Sequence, residues 1–204
     1  MKKHHKLNLD ELAEQMPQIT ENEQESSTGG IFLFSSSGEF ISKIGDSNDM
    51  RILDSSYYYT GSDTEMTLMG HTKEFCSADG LTRENCIKSI AHNMSLSNTI
   101  FFYDTPNSNA LASSFTSGDI GINKASFLWS SNNFYDFFLT LDHEYVHINH
   151  YLADPYIELN CDPREEYRTL LHTYNHSLFF CASERYRDNI ADGIVTNGRE
   201  LGYF

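Results

Sequence analysis

The chain has 204 residues, of which 39% are hydrophobic and 13% aromatic, enough apolar material for one domain with a real core. Its formal net charge of −15 argues against nucleic acid as a partner, because neutralising a phosphate backbone needs a basic surface. No apolar run approaches the roughly 18–20 residues of a membrane-spanning helix, so no membrane insertion is expected.

The first thirty residues differ from the rest. They open with Lys2, Lys3 and Lys6, but Leu7, Leu9, Leu12, Met16 and Ile19 are scattered and build no continuous apolar centre, unlike a Sec-type signal peptide. They hold a short amphipathic stretch, LNLDELAEQM, a break at Pro17, a polar acidic spacer and the pair Gly29-Gly30. Through LDELAEQMP, the ENEQ spacer and the Gly pair, this segment resembles the double-glycine leaders of bacterial bacteriocin-like precursors. The resemblance implies a leader at residues 1–30, an ABC exporter whose leader peptidase cuts after Gly30, and a secreted domain at residues 31–204. Two residues without side chains suit such a cut because the backbone can lie flat in a narrow cleft.

Beyond the Gly pair, IFLF at 31–34 and GEFISKIG at 38–45 read as strands joined at SSSG, and NTIFFYDT at 98–105, ending at Pro106, as a third. Between them TRENCIKSIAHNM, with Thr82 as N-cap and a stripe of Ile87, Ile90 and Met94, predicts a short helix. A further strand is expected near Ile120 and Ile122. The four cysteines, Cys76, Cys86, Cys161 and Cys181, permit two bridges in an exported protein. Spacing does not choose among the pairings, although Cys76 with Cys86 closes the shortest loop. No CxxC occurs, which argues against a cysteine zinc site.

From Phe134, apolar residues recur at Phe137, Phe138, Leu141, Tyr145, Ile148 and Leu152, the spacing of one helix face. With Asn132 or Asn133 as N-cap, a helix of about twenty residues is expected to reach Leu152. His143, His147 and His150 fall on the face opposite that stripe, where core packing gives no reason for them. Residues 143–147, HEYVH, match HExxH. Two imidazoles one turn apart can reach a single Zn²⁺, and the intervening Glu144 can act as general base on a zinc-bound water.

Such a site needs a third protein ligand. In CDPREEYRTLLHTYNH, Asp162 is an N-cap, Pro163 suits the first helical position, and Glu165 stands where a capping-box carboxylate reaches back to the cap amide. Glu166 is then the carboxylate left to point elsewhere. His150 competes with it, but lies about 10 Å along the axis from His143, too far for one ion to reach both from a straight helix. Reach therefore favours Glu166 with His143 and His147.

HExxH followed by a helix carrying Glu resembles the gluzincin branch of zinc metallopeptidases. The pairing of HEYVH with EEYRTLLHTYNHSLFF is similar to small metallopeptidase domains of bacterial toxins, over about residues 118–192. One departure is plain: three residues past Glu166, where the family places Ala or Asp, stands Thr169. The resemblance implies an α+β, zincin-like domain. It would have a small twisted sheet, an edge strand near residues 118–123 along the cleft, the motif helix beneath it and a C-terminal helical part.

The expectation is thus an exported zinc-dependent metallopeptidase, a secreted toxin or effector, acting on a peptide or protein substrate. The competing expectation is a non-catalytic secreted or metal-binding protein, with His143, His147 and His150 as a surface chelate. Asp142 is a candidate for orienting an imidazole, although a surface role is the simpler reading, and His172, Tyr174 and His176 are candidates for stabilising an oxyanion.

Overall fold

The computed structural model describes residues 31–204 apart from positions 107, 109, 155 and 157–161; the leader-like segment 1–30 and Cys161 lie outside the described residues. The chain is α+β, as expected, but its strands form two mixed sheets rather than one. The first contains β1 (Ile31–Phe34), β2 (Phe40–Ile44), β3 (Met50–Leu53) and β4 (Thr72–Glu74) in the order β2-β1-β3-β4. β1 runs antiparallel to β2 and parallel to β3, and β4 is antiparallel to β3. The two inner strands are buried at every residue, which is why β1 reads as an unbroken apolar run.

The second sheet has β5 (Ile100–Tyr103), β6 (Ala112–Ser114) and β7 (Ile120–Asn123) in the order β5-β7-β6. This corrects the expected edge strand near residues 118–123. β7 is the central, fully buried strand, parallel to β5, and the edge beside the motif helix is the antiparallel β6. Gly121 sits in β7 where a Cβ would come within 2.8 Å of the Phe101 ring, so a side chain there has no room.

Five helices complete the described chain: α1 (Glu65–Met69), α2 (Gly80–Asn93), α3 (Phe134–Ala153), α4 (Pro163–Tyr174) and α5 (Glu184–Glu200). The N-cap of α2 is Asp79 rather than Thr82. Asp79 accepts the Thr82 amide at 2.9 Å and its hydroxyl at 2.7 Å, so Thr82 is the third helical residue. The main core joins residues of both sheets with those of α2 to α5.

α3 is fixed at its start by both neighbours. Asn133 caps it by accepting the Tyr135 amide at 2.8 Å, and Phe134 N–H donates to Asn48 O at 2.9 Å. The Phe134 ring stacks on Phe32 of β1 with centroids 3.6 Å apart. One turn in, the buried Asp136 carboxylate accepts from Ser131 Oγ and from both the amide and hydroxyl of Ser183, the N-cap of α5. The helix that carries the motif is thereby locked to the N-cap of α5.

One sequence expectation fails on burial. The histidine face of α3 is not a free surface. His143, Glu144 and His147 are all buried, while Tyr145 and Leu152, assigned to the core stripe, are exposed. The reason is that α3 is covered on both sides. Two bridges, which the cysteine count permitted without requiring, are not formed, since Cys76 and Cys86 carry free thiols. Cys86 is fully buried in the core, and that burial pushes its thiol up to about 12, which makes it unreactive.

Candidate metal centre

α3 and α4 pack so that their facing sides carry the motif residues. His143 and His147, one turn apart on α3, project toward the first turn of α4, which begins at the Asp162 cap and Pro163. Glu166 meets them there. Its Oε2 is 3.1 Å from His147 Nε2, its Oε1 is 3.7 Å from His143 Nε2, and the two Nε2 atoms are 3.1 Å apart. One donor atom from each residue lies within 4.8 Å of the others. Ligands about 2.0–2.1 Å from a tetrahedral zinc stand roughly 3.3 Å from one another, so this spacing needs only small adjustment to hold the ion. Among the described residues this is the single His/Cys/Asp/Glu group gathered closely enough to hold a metal.

Hydrogen bonds made by the far ring nitrogens orient both imidazoles. His143 Nδ1 is 3.0 Å from Thr173 Oγ1, and that hydroxyl donates its own hydrogen to the Thr169 carbonyl at 3.2 Å. Thr173 therefore receives the Nδ1–H of His143, and the Nε2 lone pair faces the cluster. His147 Nδ1 is 3.4 Å from Thr169 Oγ1 and 3.5 Å from Glu165 Oε1.

The charge balance of the cluster is compatible with a cation. Burial lowers His143 to about 4 and so keeps it neutral. Burial also disfavours charge on His147, but the carboxylates of Glu166, Glu144 and Glu165 outweigh it and raise the imidazole above its ordinary range. Glu166 shows the mirror image: burial raises it, and the two histidines outweigh that and lower it. Without a metal, a proton on His147 Nε2 answers these carboxylates; a divalent ion held by three donors answers them more fully.

Glu144, the residue between the two histidines, is buried beside this cluster. Burial pushes its carboxyl up to about 7, against the opposing pull of His147 and of a hydrogen bond from Ser114 Oγ to Oε2 at 2.5 Å. Ser114 ends β6, so the edge strand of the second sheet holds the carboxyl in place. Beside the cluster a cavity of about 430 Å³ is lined by His143, Glu144 and Glu166, by Ala112 and Ser113 of β6, by Leu170 of α4 and by Tyr186, Asn189 and Ile190 of α5.

Glu144 and the trio of His143, His147 and Glu166 are thus brought together as the spacing predicts. Other expectations are corrected. His150 stands outside the trio and hydrogen-bonds through Nδ1 to Glu165 Oε1, which removes the three-histidine chelate. Glu165 is not a capping-box residue. It is 3% exposed, with Oε1 turned to His150 and Thr169, while Asp162 caps α4 through the Arg164 amide. Asp142 points away from the ligands and pairs with His172 Nε2 at 3.1 Å. Tyr174 packs on Phe179 and His176 on Phe138, and none of His172, Tyr174 or His176 lines the cavity.

Sequence reasoning missed Ser114 and Tyr186. Tyr186 was within reach of it, because Tyr186, Ile190 and Ile194 recur at spacings of four after the Ser183 cap and form the buried stripe of α5. Ser114 carried no signal, being one serine in a three-residue polar strand. Comparison of the chain with protein-family models, with curated proteins and with solved structures gives no match.

Proposed function

We propose that this protein is a zinc-dependent hydrolase of peptide bonds, with His143, His147 and Glu166 as metal ligands and Glu144 as general base. The observation that carries this reading is the convergence of the three donors beside a cavity that Glu144 also lines. The same three residues on a closed surface would favour a structural ion. A site bordering an open cavity leaves room for substrate.

When bound, zinc supplies Lewis acidity, polarising a carbonyl and lowering the pKa of water toward neutrality. The protein's own groups do the rest. The Glu144 carboxyl, raised to about 7, is poised to accept a proton from attacking water near neutral pH and return it to the leaving amine nitrogen. Ser114 fixes the orientation of that carboxyl from the strand side. β6 is an edge strand of its sheet among the described residues, and Ala112 and Ser113 line the cavity, so an extended peptide could lie along it. Leu170 and Ile190 give apolar wall, and burial of the Tyr186 ring beside them helps exclude water.

The double-glycine resemblance of residues 1–30 would put such an enzyme outside the cell that makes it, as a toxin or effector delivered through an ABC exporter. The test is Glu144→Gln, which keeps shape and removes the base. Zinc stoichiometry is expected to stay at one per chain while cleavage of a peptide library falls by about 10²–10⁴-fold. A protein that binds zinc but cleaves equally well with Gln at this position would be a metal-binding protein and no peptidase of this kind.

A further inference from the structure

The side of α4 that faces α3 carries other polar residues besides Glu166. Glu165, Thr169 and Thr173 recur at spacings of four and form one stripe, with Glu166 beside its first member. Thr169 and Thr173 are fully buried and Glu165 nearly so. A buried hydroxyl or carboxylate is costly unless it is hydrogen-bonded, so three such groups in a row on a short helix need an explanation.

Their bonds supply one. The Thr169 hydroxyl donates its hydrogen to Glu165 Oε1 at 3.2 Å, so it can meet His147 Nδ1, 3.4 Å away, only as an acceptor. Glu165 Oε1 itself stands 3.5 Å from the same nitrogen. Either oxygen demands that the hydrogen of neutral His147 sit on Nδ1, which turns the Nε2 lone pair to Glu166 and His143. Thr173 imposes the same tautomer on His143 by the same logic. Glu165 is held in turn by His150, whose Nδ1 bonds to Oε1; Oε2 accepts no hydrogen bond and has only the exposed Arg168 Nη1 near it, at 3.5 Å.

We infer that Glu165, acting through Thr169, is a positioning residue that fixes His147 for metal binding, with Thr173 doing the same for His143 and His150 anchoring Glu165 from the surface side. The stripe therefore sets metal affinity and geometry without touching the ion. This inference rests on the metal-centre reading above.

The experiment measures zinc affinity by competition with a chromophoric chelator, and the visible spectrum of the Co²⁺-loaded protein, for the wild type, Thr169→Val, Thr169→Ser and Glu165→Ala. Thr169→Val is expected to weaken zinc by about 10–100-fold and to alter the Co²⁺ bands, with Glu165→Ala in the same range. Thr169→Ser, which keeps the hydroxyl, should restore both readouts to near wild type. Unaltered affinity and spectrum in Thr169→Val would overturn the inference while leaving the metal centre standing. A wild type that binds no zinc would overturn the metal centre itself, and this inference with it. Should Thr169→Val fail to fold, imidazole ¹⁵N spectra of the zinc-loaded wild type decide the matter. Zinc on Nε2 with a hydrogen on Nδ1 of both histidines supports the inference; ligation through Nδ1 of either overturns it.

Discussion

On one side of α3, Phe137, Leu141 and Ile148 are shut away from water among other apolar side chains. On the other, Thr140, His143 and His147 are shut away almost as completely among polar ones, with Glu144 at the border between the two. Burial on the first side stabilises the fold, by about 1.5–3 kcal/mol for each large side chain. On the second it carries a desolvation cost that only well-placed partners offset. The partners are present: Thr173 and Thr169 for the imidazoles, Ser114 for Glu144, and the Asp136 carbonyl for the Thr140 hydroxyl at 2.7 Å. A helix that could have been apolar on both faces instead maintains a costly polar one, and that is the face that carries the proposed metal site.

The sharpest way to break that comparison is to damage each face and see whether the damage stays there. Phe137 is fully buried against Phe75. Phe137→Ala should cost about 3–5 kcal/mol of folding stability, read by denaturant titration. Under conditions where the variant is still folded, it should hold zinc one to one. Glu166→Ala should do the opposite. It removes one of three donors, so zinc affinity should fall by more than about 100-fold, beyond the 10–100-fold typical of a residue behind the ligands. Its metal-free stability should change little, because the Glu166 side chain is 35% exposed. Full zinc retention in Glu166→Ala would mean that the polar face is held together for some other reason.

The same contrast explains what the sequence reveals and what it hides. Apolar spacing marks one face of α3 from Phe134 to Ile148, and the Asn133 and Asp162 caps mark the starts of two helices, because these signals are local. HExxH is legible for the same reason, and Glu166 follows from reach along a helix axis. Hydrophobic periodicity cannot register a face buried among polar partners, so His143 and His147 read as lying on a surface. Glu165 misleads because a local rule, the capping box, competes with a tertiary one. The packing of α4 on α3 turns its carboxylate inward to His150 and Thr169. β6 stays hidden because three small residues, Ala112 to Ser114, carry no strand signature until β7 is beside them.

Acidity offers a graded way to sharpen the comparison. The carboxylates around His147 raise it above its ordinary value against the opposing effect of burial, whereas burial holds His143 down to about 4. As pH falls through the raised value, His147 takes up a proton that zinc must displace, and His143 does not. Zinc affinity should therefore fall with acid by about tenfold per pH unit below that raised value, with one proton released per ion bound. Calorimetric titration in two buffers of different ionisation enthalpy counts that proton. Release of two near neutral pH would show that the imidazoles titrate together and that the asymmetry between them is wrong.

The smallest effect is expected one residue before the motif. Asp142 adjoins His143 in sequence, yet its carboxylate reaches out to His172 Nε2 at 3.1 Å on the open side of α4, where the His172 side chain is 49% exposed. A hydrogen bond at so exposed a site contributes at most about 1 kcal/mol. Asp142→Asn should accordingly shift stability by no more than that, and leave zinc affinity and turnover within about twofold of wild type. Adjacency along the chain counts for little here, because a step of one residue turns a helical side chain by about 100° and carries Asp142 off the face that α4 closes. A tenfold loss of zinc affinity in Asp142→Asn would mean that orientation of His143 is shared with the solvent side of the helix, and the division between the two buried faces and the rest of α3 would no longer hold.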